Sequence, residues 1–481
     1  MTGPEQRPAT PVSRQDVGLR SERGPILGAL MLCTSLVALD ATILATASTT
    51  IAHELDAFEQ VPWLFSVYTL AQAVTVPVYG RLADVLGRKR MMLAGVTIFL
   101  LGSVLCAVAW SMPALIGARV IQGLGAGAML PMSMTIVSDI YTLAERAKTQ
   151  GYLASVWAIS AVVGPTLGGA FSQFLSWRWI FWVNLPLGAV AVFMLVRHFR
   201  EKPREGEREP IDYVGAVLLT AGSTLMVGGL LEGGTWGWAS ATTLGVFGGA
   251  VVLLAAFAMW GRRVPHPIFD LRILRRRVVS TTTVVSLMVG VIVLGLTTYV
   301  PIYAQGVLGA SPLVAGFALA AMTIGWPLTA SLSGRVYLRV GFRSTGLLGG
   351  SLVLGGSALA LILGEGSHVW HIAPITFLIG AGMGLTAVPT LIAAQNSADW
   401  STRGAVTGTN MFARSLGSAV GVAVFGAVVN ANTTVGADGT PSGPGLAHAI
   451  HLVFWCSVAT AVVLLLAVVL MPRDGRPDSS R

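Results

Sequence analysis

The chain has 481 residues, 54% of them hydrophobic and only 11% charged, with a formal net charge of +9. Soluble proteins carry about 25% charged residues, so this composition cannot cover a water-exposed surface. It does suit a membrane protein, in which 57 glycines allow close helix contacts.

A helix that crosses a bilayer needs about 20 mostly apolar residues, because lipid leaves bare backbone without hydrogen-bond partners. Fourteen such segments are predicted, at 26–50, 61–80, 91–111, 114–138, 150–173, 179–197, 213–231, 241–260, 280–304, 313–333, 344–363, 372–396, 404–430 and 447–471. The ends 1–25 and 472–481 are polar tails, and no soluble domain fits between the segments. The polar start is long and the first apolar run exceeds a signal-peptide core, so no cleaved leader is expected. Cys33, Cys106 and Cys456 lie in apolar stretches and are read as buried thiols. Of the 31 basic residues, 28 fall in the tails and in loops on the tail side. Arg178 alone sits opposite, and Arg119 and Arg414 lie within segments. Basic loops stay inside the cell, so both termini are expected to be cytoplasmic. The positive face then meets anionic lipid, and nucleic-acid binding is not needed to explain it.

The chain also repeats itself. Gly80-Arg81 precedes Gly87 by the same spacing with which Gly334-Arg335 precedes Gly341, an offset of 254 residues. The same offset carries the start of segment 1 to that of segment 9. Residues 26–198 and 280–471 therefore read as two six-helix bundles, with 199–262 holding a loop and an inserted helix pair. Parallel repeats of this kind build transporters with a substrate site between the halves.

Specific motifs agree. Residues 80–90 (Gly-Arg-Leu-Ala-Asp-Val-Leu-Gly-Arg-Lys-Arg) resemble motif A of the major facilitator superfamily. Arg119-Val-Ile-Gln-Gly-Leu-Gly-Ala-Gly127 resembles motif B, and Gly164-Pro165-Thr-Leu-Gly168-Gly169 resembles the antiporter motif C. Leu39-Asp40-Ala41-Thr42-Ile43 and Trp177-Arg-Trp-Ile-Phe-Trp-Val-Asn-Leu-Pro186 are similar to the 14-span drug:proton antiporter subfamily. The stretch Leu44-Ala45-Thr46-Ala47-Ser48-Thr49 departs from that subfamily, which usually has Val-Asn-Val-Ala-Leu-Pro after the acid. The resemblance implies an all-α integral membrane protein with a major facilitator fold: two six-helix bundles, an inserted pair and fourteen transmembrane helices.

Asp40 is the prime candidate, because an acid within a span is costly and marks a proton or substrate path. It lies 14 residues into segment 1, about 21 Å deep at 1.5 Å per residue. Arg119 lies about 7–8 Å down from the opposite face of a core about 30 Å thick, so the two share a height. Desolvation and the arginine then compete over the carboxyl's proton, as proton antiport requires. A permanent structural pair between segments 1 and 4 is the other reading of the same two residues. By resemblance Asp84, with Gly80, Gly87 and Arg88, holds the two halves together, and the N-terminal end of segment 13 would suit that anion. Asp139 is the expected partner of Arg88. Gly164, Gly168 and Gly169 permit close packing, and Pro165 is expected to kink segment 5.

Tyr68, Gln72, Gln122, Trp157 and Trp326 are the cavity candidates for a flat apolar substrate. Trp63, Tyr299 and Tyr303 fit the interfacial aromatic belt better. Arg414 sits about 15 Å deep and either binds an anionic group or pairs with neighbours such as Asn410. Glu232 is read as interfacial, and Glu365, His368 and His371 as a solvated cluster. No metal is assigned, and no cofactor is expected. The absence of a Gly-x-x-x-x-Gly-Lys-Ser/Thr loop or a nucleophile motif argues against an ATP-driven pump or an enzyme. The expected activity is proton-coupled export of small hydrophobic or cationic compounds from a bacterial inner membrane, by a monomer in contact with lipid. Lipid or metabolite export and a non-transporting receptor are the alternatives.

Overall fold

The computed structural model describes residues 17–57, 60–201, 212–265, 267, 271–310, 312–364, 366–432, 434–435, 441–442 and 445–473. Most of both expected tails, Glu365 and the side chain of Pro165 lie outside the described residues. The first half contains α1 (Gly24–Glu54), α2 (Val61–Leu86), α3 (Arg88–Ala107), α4 (Met112–Ile140), α5 (Leu143–Phe174), the single turn α6 (Trp179–Trp182) and α7 (Asn184–His198). A hairpin of α8 (Tyr213–Trp236) and α9 (Ala241–Gly261) follows. The second half contains α10 (Arg277–Gly306), α11 (Pro312–Val340), α12 (Phe342–Ala360), α13 (Ile372–Asn396), α14 (Arg403–Asn432) and α15 (Leu446–Leu470). The remaining regular structure is a few 3₁₀ turns and one short antiparallel pair, Thr434–Val435 with Pro441–Ser442, between α14 and α15.

Among the described residues, eleven spans are long and apolar enough to cross a membrane, α6 and α7 counting as one. α2 and α5 each include side chains outside the described residues, whereas α12 is rich in glycine and serine and sets Gly349 and Gly356 against α13. Close helix contacts favour such residues at the expense of hydropathy.

The helix pairings repeat at the offset found in the sequence. α1 packs on α5, α2 and α3 on α4, and α1 on α7; in the second half α10 packs on α14, α11 and α12 on α13, and α10 on α15. The largest apolar cluster draws only on residues 285–468, and two others draw on 17–199. Two symmetric crossings join the halves, α2 on α14 and α5 on α11. The repeated glycines explain how these connections bend. Gly87 (φ +100°) and Gly341 (φ +83°), 254 residues apart, turn the chain between α2 and α3 and between α11 and α12. A side chain would be strained at either position. The α8–α9 hairpin lies beside the first crossing, with α8 touching both α2 and α14.

Candidate functional site

Two clusters of buried charged residues stand out in the interior. The first joins α1, α2, α3, α4 and α7. Asp40, Arg119 and Gln122 are 0%, 1% and 0% exposed, so none of the three is in contact with bulk water. Arg119 and Gln122 are three residues apart on α4 and therefore share a face. Arg119 Nη1 donates to Asp40 Oδ2 (2.6 Å) and to Gln122 Oε1 (2.6 Å), and its Nε donates to the Leu64 carbonyl (3.2 Å). Gln122 Nε2 donates to the other carboxylate oxygen, Asp40 Oδ1 (2.9 Å), and to Ser103 Oγ (2.9 Å). Asn184 Nδ2 also donates to Ser103 Oγ, at 3.2 Å. The guanidinium lies 4.1 Å from the centre of the Tyr68 ring, whose buried hydroxyl has no hydrogen-bond partner.

Asp40 and Arg119 thus meet, as their equal depth suggested. Gln122 belongs to this cluster and not to a cavity wall. Ser103 and Asn184 were not singled out from sequence, although Asn184 lies in the Trp177–Pro186 stretch that carried the subfamily resemblance. Cys33 and Cys106 are buried free thiols, while Cys456 is half-buried. Removing one partner from a buried ion pair typically costs 3–5 kcal/mol, roughly, because the other charge is left uncompensated.

The second cluster joins the halves at the end bearing the arginine-rich loops. Asp84 Oδ1 accepts from the Gly404 amide (3.0 Å) and Oδ2 from the Ala405 amide (2.8 Å). These are the first free N–H groups of α14, an end that favours an anion. Arg88 Nη2 donates to Asp84 Oδ1 (2.8 Å) and to the Trp400 carbonyl (2.6 Å), and its guanidinium lies 3.8 Å from the Trp400 ring centre. Arg88 Nε is 3.2 Å from Asp139 Oδ2, and Arg403 of α14 donates to Asp139 Oδ1 at 2.7 Å. Arg146 Nη1 adds a bond to Asn396 Oδ1 at 2.8 Å. Asp84 lies beyond the apolar stretch 61–80. Burial raises its carboxyl above the ordinary carboxylate range, and Arg88 and the two amides pull it back. The helices meet closely here: a Cβ on Gly80 would sit 2.7 Å from the Gly404 carbonyl oxygen. Gly87 closes the turn, and Glu201 caps α3 by accepting from the Arg88 amide (2.7 Å) and the Lys89 amide (3.2 Å). The expected motif A residues and Asp139 are therefore together. Arg403, Trp400, Arg146, Asn396 and Glu201 had gone unnoticed; a lone arginine in the loop before segment 13 was the available signal.

The antiporter motif packs less uniformly than its spacing suggested. Any side chain at Gly164 would collide with Thr42 of α1, two residues from Asp40, and Thr42 Oγ1 donates to the Ser160 carbonyl at 3.1 Å. Gly168 is buried, but Gly169 is exposed with nothing within 4 Å of a Cβ built on it. A tight crossing is at Gly164.

Among the aromatic candidates, Trp157 and Trp63 are each 40% exposed and Trp326 is half-buried. Tyr299 and Tyr303 do not form a belt. They pack inside the second half against Phe425 and Phe454 because their neighbours on α14 and α15 offer apolar area. Gln72 is half-buried. Asn410 accepts from Ser286 Oγ (3.0 Å) and donates to the Val406 carbonyl (3.1 Å), so it is not the partner of Arg414. His368 and His371 touch each other, and no group of three or more metal-ligating side chains occurs among the described residues.

A family model described as Major Facilitator Superfamily matches residues 30–422. The chain belongs to the major facilitator superfamily. It is a membrane transporter and not an enzyme. It is 33% identical over 405 residues to "Multidrug resistance protein 3" of Bacillus subtilis, covering 84% of this chain and 78% of that protein. It is 30% identical over 419 residues to the "Multidrug transporter protein MdtP" of the same organism, covering 86% and 77%. An "Efflux pump FUS6" of Gibberella fujikuroi is 33% identical, with 84% and 75% covered. Among solved structures, the human organic anion transporter MFSD10 superposes with a TM-score of 0.64 at 17% identity, over 94% of this chain and 99% of that one. That likeness concerns the fold. The superfamily fold supplies the frame in which both polar clusters act.

Proposed function

We propose that this transporter is a proton-coupled antiporter that exports small apolar or cationic drug-like compounds by alternating access. The observation that carries the reading is the Asp40 carboxylate, sealed from water and held by Arg119 and Gln122. When Asp40 takes a proton, Arg119 loses its counter-charge but keeps the Leu64 carbonyl, the Gln122 amide oxygen and the Tyr68 ring. The cluster can therefore exist in two charge states without falling apart, and only one of them favours the conformation shown. A membrane potential of 100 mV contributes about 2.3 kcal/mol per inward proton, enough for a more than tenfold substrate gradient.

The Asp84 cluster acts as the gate of this cycle. It joins both halves at the arginine-rich end, so breaking it frees that end to open while the other closes. We further infer fourteen crossings, α2, α5 and α12 completing the count because neighbouring helices shelter their polar faces. Both termini are then cytoplasmic, and the protein works as a monomer in a bacterial cell membrane. The inserted α8–α9 pair lies outside the two bundles, 26–198 and 280–471.

Proton-driven dye efflux from inverted vesicles tests the reading. Wild-type protein should accumulate the dye on acidification of the lumen, and Asp40→Asn should not, while still binding it. Unchanged coupling in that variant would remove Asp40 from the mechanism and favour the purely structural ion pair.

A further inference from the structure

Arg414 meets no counter-charge among the described residues of its own half. Helices α10 to α15 contain no aspartate or glutamate at all, whereas the first half pairs its mid-membrane arginine with Asp40. Arg414 makes no hydrogen bond or ion pair among the described residues, and Asn410, its expected partner, is engaged by Ser286 and Val406. The side chain is half-buried, neither sealed nor fully open to the surroundings. An unpaired charge in hydrocarbon is costly enough that its presence calls for a function.

Its direction follows from helix geometry. Arg414 lies 11 residues beyond Arg403, about three helical turns, so the two share a face of α14. Arg403 uses that face to reach Asp139 of α4 in the opposite half. Arg414 therefore lies on the side of α14 that carries Arg403, at the level where α14 also crosses Gly290 of α10. The helices α2 and α14 run antiparallel and cross where Gly80 meets Gly404. From that crossing Arg414 is ten residues along α14, about 15 Å, and Gln72 eight residues along α2, about 12 Å. Gln72 is half-buried, and its side chain makes no hydrogen bond among the described residues. One turn farther, about 18 Å from the crossing, lies Tyr68, 5% exposed, with a buried hydroxyl lacking a partner. Three donors that lack a hydrogen-bond partner among the described residues therefore lie within about 6 Å of one another in depth.

We propose that Arg414, with the Gln72 amide and the Tyr68 hydroxyl, forms a recognition site for an anionic group, so that the substrate range includes amphipathic carboxylates and sulfonates. The charge balance supports this. With Asp40 and Arg119 neutralising each other, Arg414 leaves the interior with one net positive charge, whose field is strong where water is scarce. A guanidinium also presents paired donors that match a carboxylate's two oxygens. Because the Tyr68 ring lies beneath Arg119, an anion held by its hydroxyl would be felt at the Asp40 pair.

The inference rests on the export reading, and one pair of probes separates the two. Binding of a fluorescein-class carboxylate and of its uncharged methyl ester is measured on the purified full-length protein, and counterflow of both is measured in proteoliposomes. The wild type should bind the carboxylate at least tenfold more tightly than the ester. Arg414→Gln should lose that preference and bind the two probes alike, and Arg414→Lys should keep most of it. Equal binding of the two probes by the wild type, or a preference that survives Arg414→Gln, overturns the proposal. The wild-type comparison decides the matter even where the glutamine variant fails to fold. Carboxylate preference without counterflow of either probe sinks the export reading and leaves the site standing; counterflow without preference does the reverse.

Discussion

The two buried clusters use the same chemistry, a carboxylate against arginine, but differ in what they connect. Asp40 and Arg119 belong to one half, and every partner of that network lies within residues 40–184. The Asp84 cluster draws on α2, α3 and α4 from one half and on α14 and the segment before it from the other. Changing the charge of the first leaves the contacts between halves intact. Losing the second removes bonds that join the two halves. On the reading proposed above, the first pair stores a charge state and the second sets the equilibrium between arrangements of the halves.

The sharpest way to break this distinction is Asp40→Asn. Proton-driven efflux should fall at least 100-fold while the protein still binds dye, with thermal stability lowered by the loss of Arg119's buried counter-charge; a variant that still pumps would collapse the comparison. Next is Asp84→Ala, which leaves Arg88 to Asp139 alone and strips the two α14 amides of their acceptor. Removal of one partner from a buried pair costs about 3–5 kcal/mol, part of which Asp139 offsets here. Turnover should drop roughly tenfold, and a cysteine placed near Gly404 should become reactive to a polar thiol reagent from the arginine-rich side. The set of competing compounds should not change, and an altered set would contradict a gating role. Arg403→Ala should act in the same direction but more weakly, by about threefold in turnover, because Asp139 keeps Arg88 and Arg403 is less deeply buried. Tyr337→Phe should be the mildest, since its hydroxyl makes only a 3.4 Å contact to the Leu143 carbonyl at the symmetric crossing. Turnover within experimental error is expected; a loss as large as that of Asp84→Ala would mean that both crossings carry the gate equally.

Much of the site was legible before any coordinates. Asp40, Arg119, Asp84, Arg88 and Asp139 are conspicuous because charge is rare in apolar segments, and the helical rise placed the first pair at one height. Gln122 was assigned to the wrong neighbourhood because a glutamine on an apolar helix gives no sign of whether it faces a cavity or an acid. Tyr299 and Tyr303 were misplaced for a similar reason. Proximity to a helix end suggests an interface, but only the neighbouring helices decide whether lipid or protein covers the ring. Gly169 shares the spacing of Gly164, yet no helix lies against it.

Periodicity, charge placement and the 254-residue repeat by themselves determined the helical membrane architecture, the doubled halves and the identity of the costly charges. These properties follow from the aversion of hydrocarbon to bare backbone and unpaired charge, which any single segment reveals. Which partner each charge meets was decided by the tertiary structure. Asp84 reaches the start of α14 across 320 positions of sequence, and Arg414 is left without an acid. Such pairings depend on the rotation and tilt of whole helices against one another, which arise from packing summed over many contacts and leave no local trace in the chain.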